Sequence, residues 1–301
     1  MILMNKLIVA AAASIWAACA QAEMIEHSMG VTDVPDAPVR IVVLTNEGTE
    51  ALLALGITPV GAATSWIGDP WYDHIADSMS ETQPLGKETG INLELLAVLQ
   101  PDLILANKQR HEEIYQQLSA IAPTVVSEKL RGDWRVNFEL YARTLGLTDE
   151  GAEILADFDG RTASLAEALG DDLKQEISVI RFLPGHIRIY QRDSFSGFIL
   201  NKVGFARPEI QAVDEFAMRV GKESIPDMDG DRIFHFTWEA GDGEGLAARD
   251  EALADPLWQT LSAVQSGNVT EVSDPIWNTA GGIIAANLML DDIARLFDVS
   301  E

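Results

Sequence analysis

What most constrains this 301-residue chain is a change of period along it. Up to about Leu105, short β-branched runs alternate with helical ones. "RIVVL" (Arg40 to Leu44) reads as a strand, and "EGTEALLALG" has helical spacing that stops at Gly56. "TPVGAA" is a second short strand, "NLELLAVL" begins at a good N-cap, Asn92, and Pro101 ends that helix before the strand "DLILAN". From Asp149 to about Lys174 there is no proline and no strand-like run, and Ile154, Leu155, Phe158, Leu165 and Leu169 fall on one helical face. This predicts a single helix of about 26 residues, roughly 39 Å long at 1.5 Å per residue. Alternation then resumes with "ISVIRF", "IRIYQ", "DRIFHFTW" and "GNVTEV", and "AANLMLDDIARLF" closes the chain as a helix. The expected class is α/β, with parallel-rich sheets in two lobes joined by one long α-helix.

A short echo supports two related lobes. When "NLELLAVLQPDLIL" (Asn92 to Leu105) is aligned with "GKESIPDMDGDRIF" (Gly221 to Phe234), Glu94 falls on Glu223 and Asp102 on Asp231. Leu96 falls on Ile225, Leu99 on Met228, Ile104 on Ile233 and Leu105 on Phe234. Length agrees, since a prior of about one domain per 100 to 200 residues gives two.

The first 22 residues read as a secretory signal: Lys6, an apolar run from Leu7 to Ala18, then the small-residue cleavage pattern "AQA" ending at Ala22. The run falls short of the roughly 20 apolar residues a spanning helix needs. The expected division is 1–22 signal peptide, 23–148 N-terminal lobe, 149–174 connecting helix and 175–301 C-terminal lobe, with periplasmic localisation. Cys19, the one cysteine, is either discarded with the signal or a lipid attachment site. The bulky Trp16 three residues before it favours the first reading. After cleavage no disulfide or thiolate-bound metal is available.

Charge and motifs then narrow the function classes. A formal net charge of −26 disfavours nucleic acid and anionic membrane surfaces as partners. "EAGDGEGL" invites a dinucleotide reading. Leu246, however, stands where the third glycine belongs, and Asp242 and Glu244 would repel phosphate, so it reads as a flexible acidic loop. The five histidines (His27, His74, His111, His186, His235) form no HxH or HxxxH pair, so no metal site is expected. There is no GxSxG elbow, no catalytic residue is assigned, and no cofactor is expected.

The chain as a whole resembles the periplasmic binding proteins of iron–siderophore ABC importers. The resemblance runs through "EHSMGVTDVPDAPVRIVVL", "EALLALGITPVGAA", "NLELLAVLQPDLILANKQRHEEIYQQLSAIAPTVV", "SVIRFLPGHIRIYQRDSFSGFILNKVGFARP", "DPLWQTLSAVQSGNVTEV" and "IWNTAGGIIAANLMLDD", in the family's order. It implies two Rossmann-like lobes on a helical backbone, a non-enzymatic role, and a monomer that hands a ferric siderophore to an ABC permease dimer. The branch it is most similar to takes ferric hydroxamate and citrate-hydroxamate siderophores such as schizokinen. In this family the glutamate of each repeated segment meets permease arginines, which implies Glu94 and Glu223 as docking residues. A carboxylate at a helix N-terminus also stabilises the dipole, and the two roles can coexist.

A ferric siderophore already saturates its iron, so a receptor must recognise an outer shell of oxygens, for which arginine's planar fork is suited. Arg110 and Arg181, one per lobe, are the principal candidates. Lys108, which also follows "DLILAN", and Arg131 and Arg135, which flank Trp134, are secondary. For each the alternative is a surface cation paired with one of 47 acidic residues. Trp66, Trp134, Tyr190, Trp238 and Trp277 are candidate apolar walls, whereas Trp258 reads as helix core. His111 either lines the pocket beside Arg110 or is a solvated helix residue. The long helix predicts lobe closure of small amplitude. Rival readings are a receptor for another chelate (haem, cobalamin, ferric citrate) and an exported α/β enzyme acting on a small acidic substrate.

Overall fold

The computed structural model describes residues 23–130 and 132–300. The signal segment, Cys19 and Arg131 therefore lie outside the described residues. The chain opens with an antiparallel hairpin of β1 (Glu23–His27) and β2 (Gly30–Val34). The first sheet follows: β3 (Ile41–Val43), β4 (Gly61–Ala62), β5 (Gln83–Pro84), β6 (Leu103–Asn107) and β7 (Thr124–Ser127), in the order β5-β4-β3-β6-β7, all parallel. The second contains β8 (Ile177–Leu183), β9 (His186–Tyr190), β10 (Ala217–Val220), β11 (Arg232–Thr237) and β12 (Val269–Glu271), in the order β10-β9-β8-β11-β12. The two orders are equivalent, but β9 runs antiparallel to both neighbours because the two-residue turn Pro184–Gly185 folds it directly back on β8.

The echo has a structural basis in these sheets. Leu96, Ile225, Ile104, Ile233, Leu105 and Phe234 are all fully buried. Asp102 stands just before β6 and accepts hydrogen bonds from the amides of Val39 and Arg40, both at 2.9 Å, where the chain enters β3. Asp231 stands just before β11 and accepts from the amide of Glu176, at 2.8 Å, where it enters β8. In each lobe one aspartate aligns two adjacent parallel strands by holding amides the ladder leaves unpaired.

Between the sheets runs the helix Thr148–Leu169, which buries Leu155, Phe158, Leu165 and Leu169. It is 22 residues long, shorter than the expected 26, because Gly170 takes a positive φ of 50° and Gly170–Lys174 tighten into a 3-10 turn. Each sheet buries its outer face in a cluster of its own. Their inner faces share one continuous core with the long helix and the final helix Ile283–Leu296. That final helix packs on the helix Asn46–Ala54 of the first half. There Glu50 accepts a hydrogen bond of 2.9 Å from the amide of Ala285, so a first-half carboxylate satisfies a helix N-terminus of the second half. Gly282 makes this approach possible: a Cβ there would lie 2.7 Å from Glu50 Cβ.

Candidate functional site

A cleft of about 360 Å³ opens where the C-terminal ends of the parallel strands of both sheets converge. Trp66 enters it from the segment after β4, Glu88 from that after β5, and Arg110 from that after β6. From the second lobe come Arg181 near the end of β8, Arg188 on β9 and Trp238 after β11. Trp66 and Trp238 meet edge to face across the lobes, with ring centroids 6.3 Å apart. Arg110 lies over the Trp66 ring at 5.9 Å and Arg181 over Trp238 at 5.1 Å, so each guanidinium is backed by an indole of its own lobe.

The two lobes hold their arginines by the same device. Arg110 Nε donates to Glu88 Oε2 at 3.1 Å, while Glu88 Oε1 accepts from the backbone and side-chain nitrogens of Asn46, each at 2.8 Å. Arg181 donates through Nε and Nη2 to Asp274 Oδ2, at 3.0 and 2.5 Å. Asn278 Nδ2 steadies the other Asp274 oxygen at 3.1 Å. Both members of the second pair are buried, so each neutralises a charge that would be costly alone. Burial pushes the Asp274 carboxyl upward against the opposing pull of Arg181.

Arg188 differs. It stands directly opposite Arg181 in the β8–β9 register and opposite Arg219 in the β9–β10 register, so three arginines face one side of three adjacent strands. Among the described residues no carboxylate lies within ion-pair distance of Arg188 or Arg219, and Arg188 lines the cleft against the Phe216 ring at 6.0 Å. His186 sits beside the row, its pKa lowered by burial and then by Arg219, Arg188 and Arg181. Arg188 and Arg219 are thus uncompensated positive charges beside the paired Arg181 in a strongly acidic protein, suited to an anionic ligand.

Of the expected residues, Arg110, Arg181, Trp66, Tyr190 and Trp238 line the cleft. Tyr190 is fully buried in its wall, with a hydroxyl that has no partner. Trp134 and Trp277 are core residues instead: Trp134 packs edge-on against Phe138 and Phe158, and Trp277 packs on Phe234 and donates to Asp292 at 2.9 Å. Their loop-like sequence settings misled, because a loop laid over the shared core buries its aromatic. Arg135 is tied by a forked ion pair to Asp159 on the long helix, holding that carboxyl below its usual range, and it does not reach the cleft. Lys108 is half-buried outside the cleft lining. His111 is neither pocket wall nor solvated. It is buried, accepts from the Asn107 amide at 3.1 Å through Nδ1, and donates through Nε2 to the Glu88 carbonyl at 2.9 Å, so it braces the segment that holds Arg110. The acidic loop is organised rather than flexible, since the Glu239 carboxylate accepts from the amides of Gly241, Gly243 and Leu246.

Sequence reading missed Arg188, Glu47 and Glu88. A signal for Arg188 was present: a two-residue Pro184–Gly185 turn pairs Leu183 with His186 and hence Arg181 with Arg188. The acidic pair had none, because their partners come from distant elements.

Glu94 and Glu223 are both exposed, each in the first turn of a short helical segment. Among the described residues no group of three or more His, Cys, Asp or Glu is placed to hold a metal ion.

A family model described as "Periplasmic binding protein" matches residues 41–275. The chain is 50% identical over 282 residues to the probable siderophore-binding lipoprotein YfiY of Bacillus subtilis, covering 91% of this chain and 87% of that protein. It is 32% identical to the achromobactin-binding periplasmic protein of Dickeya dadantii, covering 87% and 88% of the two chains. The crystal structure of Staphylococcus aureus SirA complexed with staphyloferrin B superposes with a TM-score of 0.87 at 32% identity, over 92% of this chain and 99% of that one.

Proposed function

The chain belongs to the periplasmic binding protein family, and from that membership we propose that it is the substrate-binding protein of an ABC importer for ferric siderophores. It captures the ferric complex between its lobes outside the cytoplasmic membrane and presents it to the permease, without chemical turnover. The observation that carries this reading is the meeting of Arg110 from one lobe with Arg188 from the other around one cleft walled by Trp66 and Trp238. Iron wrapped in a siderophore offers only peripheral oxygens and aliphatic arms, and guanidinium forks and indole faces are the matching partners.

Charge narrows the ligand. Arg110 and Arg181 are each matched by a carboxylate, whereas the Arg188–Arg219 strip has none within ion-pair distance among the described residues. That balance favours a ligand with several anionic oxygens, so a citrate-hydroxamate complex fits better than a neutral hydroxamate. Glu94 and Glu223, one exposed carboxylate per lobe, are the proposed anchor points for a permease dimer, with the protein acting as a monomer exported by its N-terminal signal.

The test is tryptophan-fluorescence titration with ferric schizokinen, ferrioxamine, ferric citrate, a ferric catecholate, haem and cobalamin. Saturable quenching by a citrate-bearing ferric complex, with affinity weakened in Arg188→Ala, is the expected result. A response confined to haem or cobalamin would reassign the ligand class, and turnover of any bound compound would end the receptor reading.

A further inference from the structure

Three glutamates lie close together in the first lobe, of which Glu47 and Glu88 line the cleft, and they are not equivalent. Glu88 has Arg110 and Asn46 as partners. Glu50 contacts His74 at 2.6 Å and the amide of Ala285 at 2.9 Å. Glu47 stands in the first turn of the helix Asn46–Ala54, and among the described residues no cation lies within ion-pair distance of it. Its Oε2 accepts from Asn137 Nδ2 at 2.9 Å, and the same amide group donates its other hydrogen to the Lys129 carbonyl at 2.7 Å. Glu47 Oε1 is buried without a hydrogen-bond partner, although the residue lines the cleft. Glu47 is only 7% exposed.

An ionised carboxylate in that position would be desolvated, unpaired and beside two others, at the mouth of a site that otherwise gathers positive charge. As a neutral acid the same side chain costs little to bury and gains a hydroxyl that can donate. We propose that Glu47 is a specificity-determining residue of this cleft, recognising the ligand as a neutral carboxylic acid whose O–H is donated to a peripheral anionic oxygen of the ligand. The inference rests on the anionic-ligand reading of the site. Burial first, and then Glu88 and Glu50, push the Glu47 carboxyl up to about 8. Tyr141 on the helix Arg135–Thr144 also acts on it, and Arg110 and Arg181 are the cations that line the same cleft.

An acid in this role selects by protonation. A ligand that turns an acceptor toward Glu47 keeps the proton in place, and an O–H···O⁻ bond is among the stronger contacts available. A ligand that turns a cation there would demand the ionised form. The cleft therefore discriminates on the charge of one face of the complex, independently of the arginine strip opposite.

The experiment titrates the protein with ferric schizokinen by tryptophan fluorescence between pH 6.5 and 9, comparing wild type with Glu47→Gln and Glu47→Leu. Glutamine is nearly isosteric and keeps a donor at every pH. Its affinity should stay flat across the range, whereas wild-type affinity falls by about tenfold toward pH 9 and leucine has lost about tenfold already at pH 6.5. Calorimetry at pH 8 in buffers of different ionisation enthalpy should show proton uptake on binding by wild type and none by Glu47→Gln. Superimposable pH profiles and equal proton uptake for wild type and Glu47→Gln would overturn the role of Glu47 while leaving the receptor reading intact. Wild-type protein that binds no ferric complex at all would overturn that reading and this inference with it.

Discussion

Arg181 and Arg188 stand directly opposite each other on β8 and β9, yet among the described residues Arg181 has a carboxylate within reach and Arg188 has none. The two therefore answer differently to removal. Arg188→Ala should weaken binding of an anionic ferric siderophore by roughly 10- to 100-fold, the value of one charge-assisted contact, with little change in melting temperature. Arg181→Ala leaves Asp274 buried and unpaired, so it should lower stability by about 3–5 kcal/mol whatever it does to affinity. Parallel fluorescence titration and thermal denaturation separate the two.

Glu47 makes stability depend on pH in a defined direction. Its pKa is about 8 in the fold against an ordinary value of 4.5, so the folded protein holds the proton more tightly than the unfolded chain. Its contribution is therefore fully present below pH 4.5, is lost progressively between 4.5 and about 8, and stays lost above that. The loss amounts to roughly 5 kcal/mol at 1.36 kcal/mol per pKa unit. Glu47→Gln should match wild type in urea unfolding near pH 5 and exceed it at pH 9.

The repeated aspartates should prove to be strand organisers of unequal weight. Asp102 holds two backbone amides and Asp231 holds one. Asp102→Ala should cost about 1.5–3 kcal/mol and Asp231→Ala about half that, since each removes charge-assisted bonds to backbone that is partly exposed. Denaturant midpoints at constant m-value check the ranking.

Fluorescence should divide the tryptophans into two groups. Trp66 and Trp238 face the cleft, so Trp238→Phe should remove a large part of the ligand-induced quenching while the protein stays folded. Trp134 and Trp277 are core, so Trp134→Ala or Trp277→Ala should destabilise by about 3–5 kcal/mol.

Glu94 and Glu223 are exposed on separate lobes and away from the cleft lining. Reversing both, Glu94→Arg with Glu223→Arg, should abolish siderophore-dependent growth in iron-starved cells yet leave affinity in vitro within about twofold, because rim charges set docking register rather than ligand recognition. Unimpaired growth of the double variant would remove the docking assignment.

The layered architecture follows from local sequence patterns alone. Strand and helix periods are local properties, so "RIVVL", "DLILAN", "ISVIRF" and "DRIFHFTW" became strands β3, β6, β8 and β11, and the strand-free stretch after Asp149 became the helix between the sheets. Chain order even placed Arg110 and Arg181 beside the cleft, because the ends of parallel strands are where such sheets open. Which charges are free depends instead on long-range contacts. Glu88 neutralises Arg110 from 22 positions away, Asp274 neutralises Arg181 from 93, and Glu50 reaches Ala285 across 235. Whether a cation is a binding group or half of an internal pair, and whether a tryptophan is a wall or core, depends on neighbours that no local pattern specifies. Arg188 was legible in the turn between β8 and β9, whereas Glu47 joined the cleft lining only through the tertiary fold.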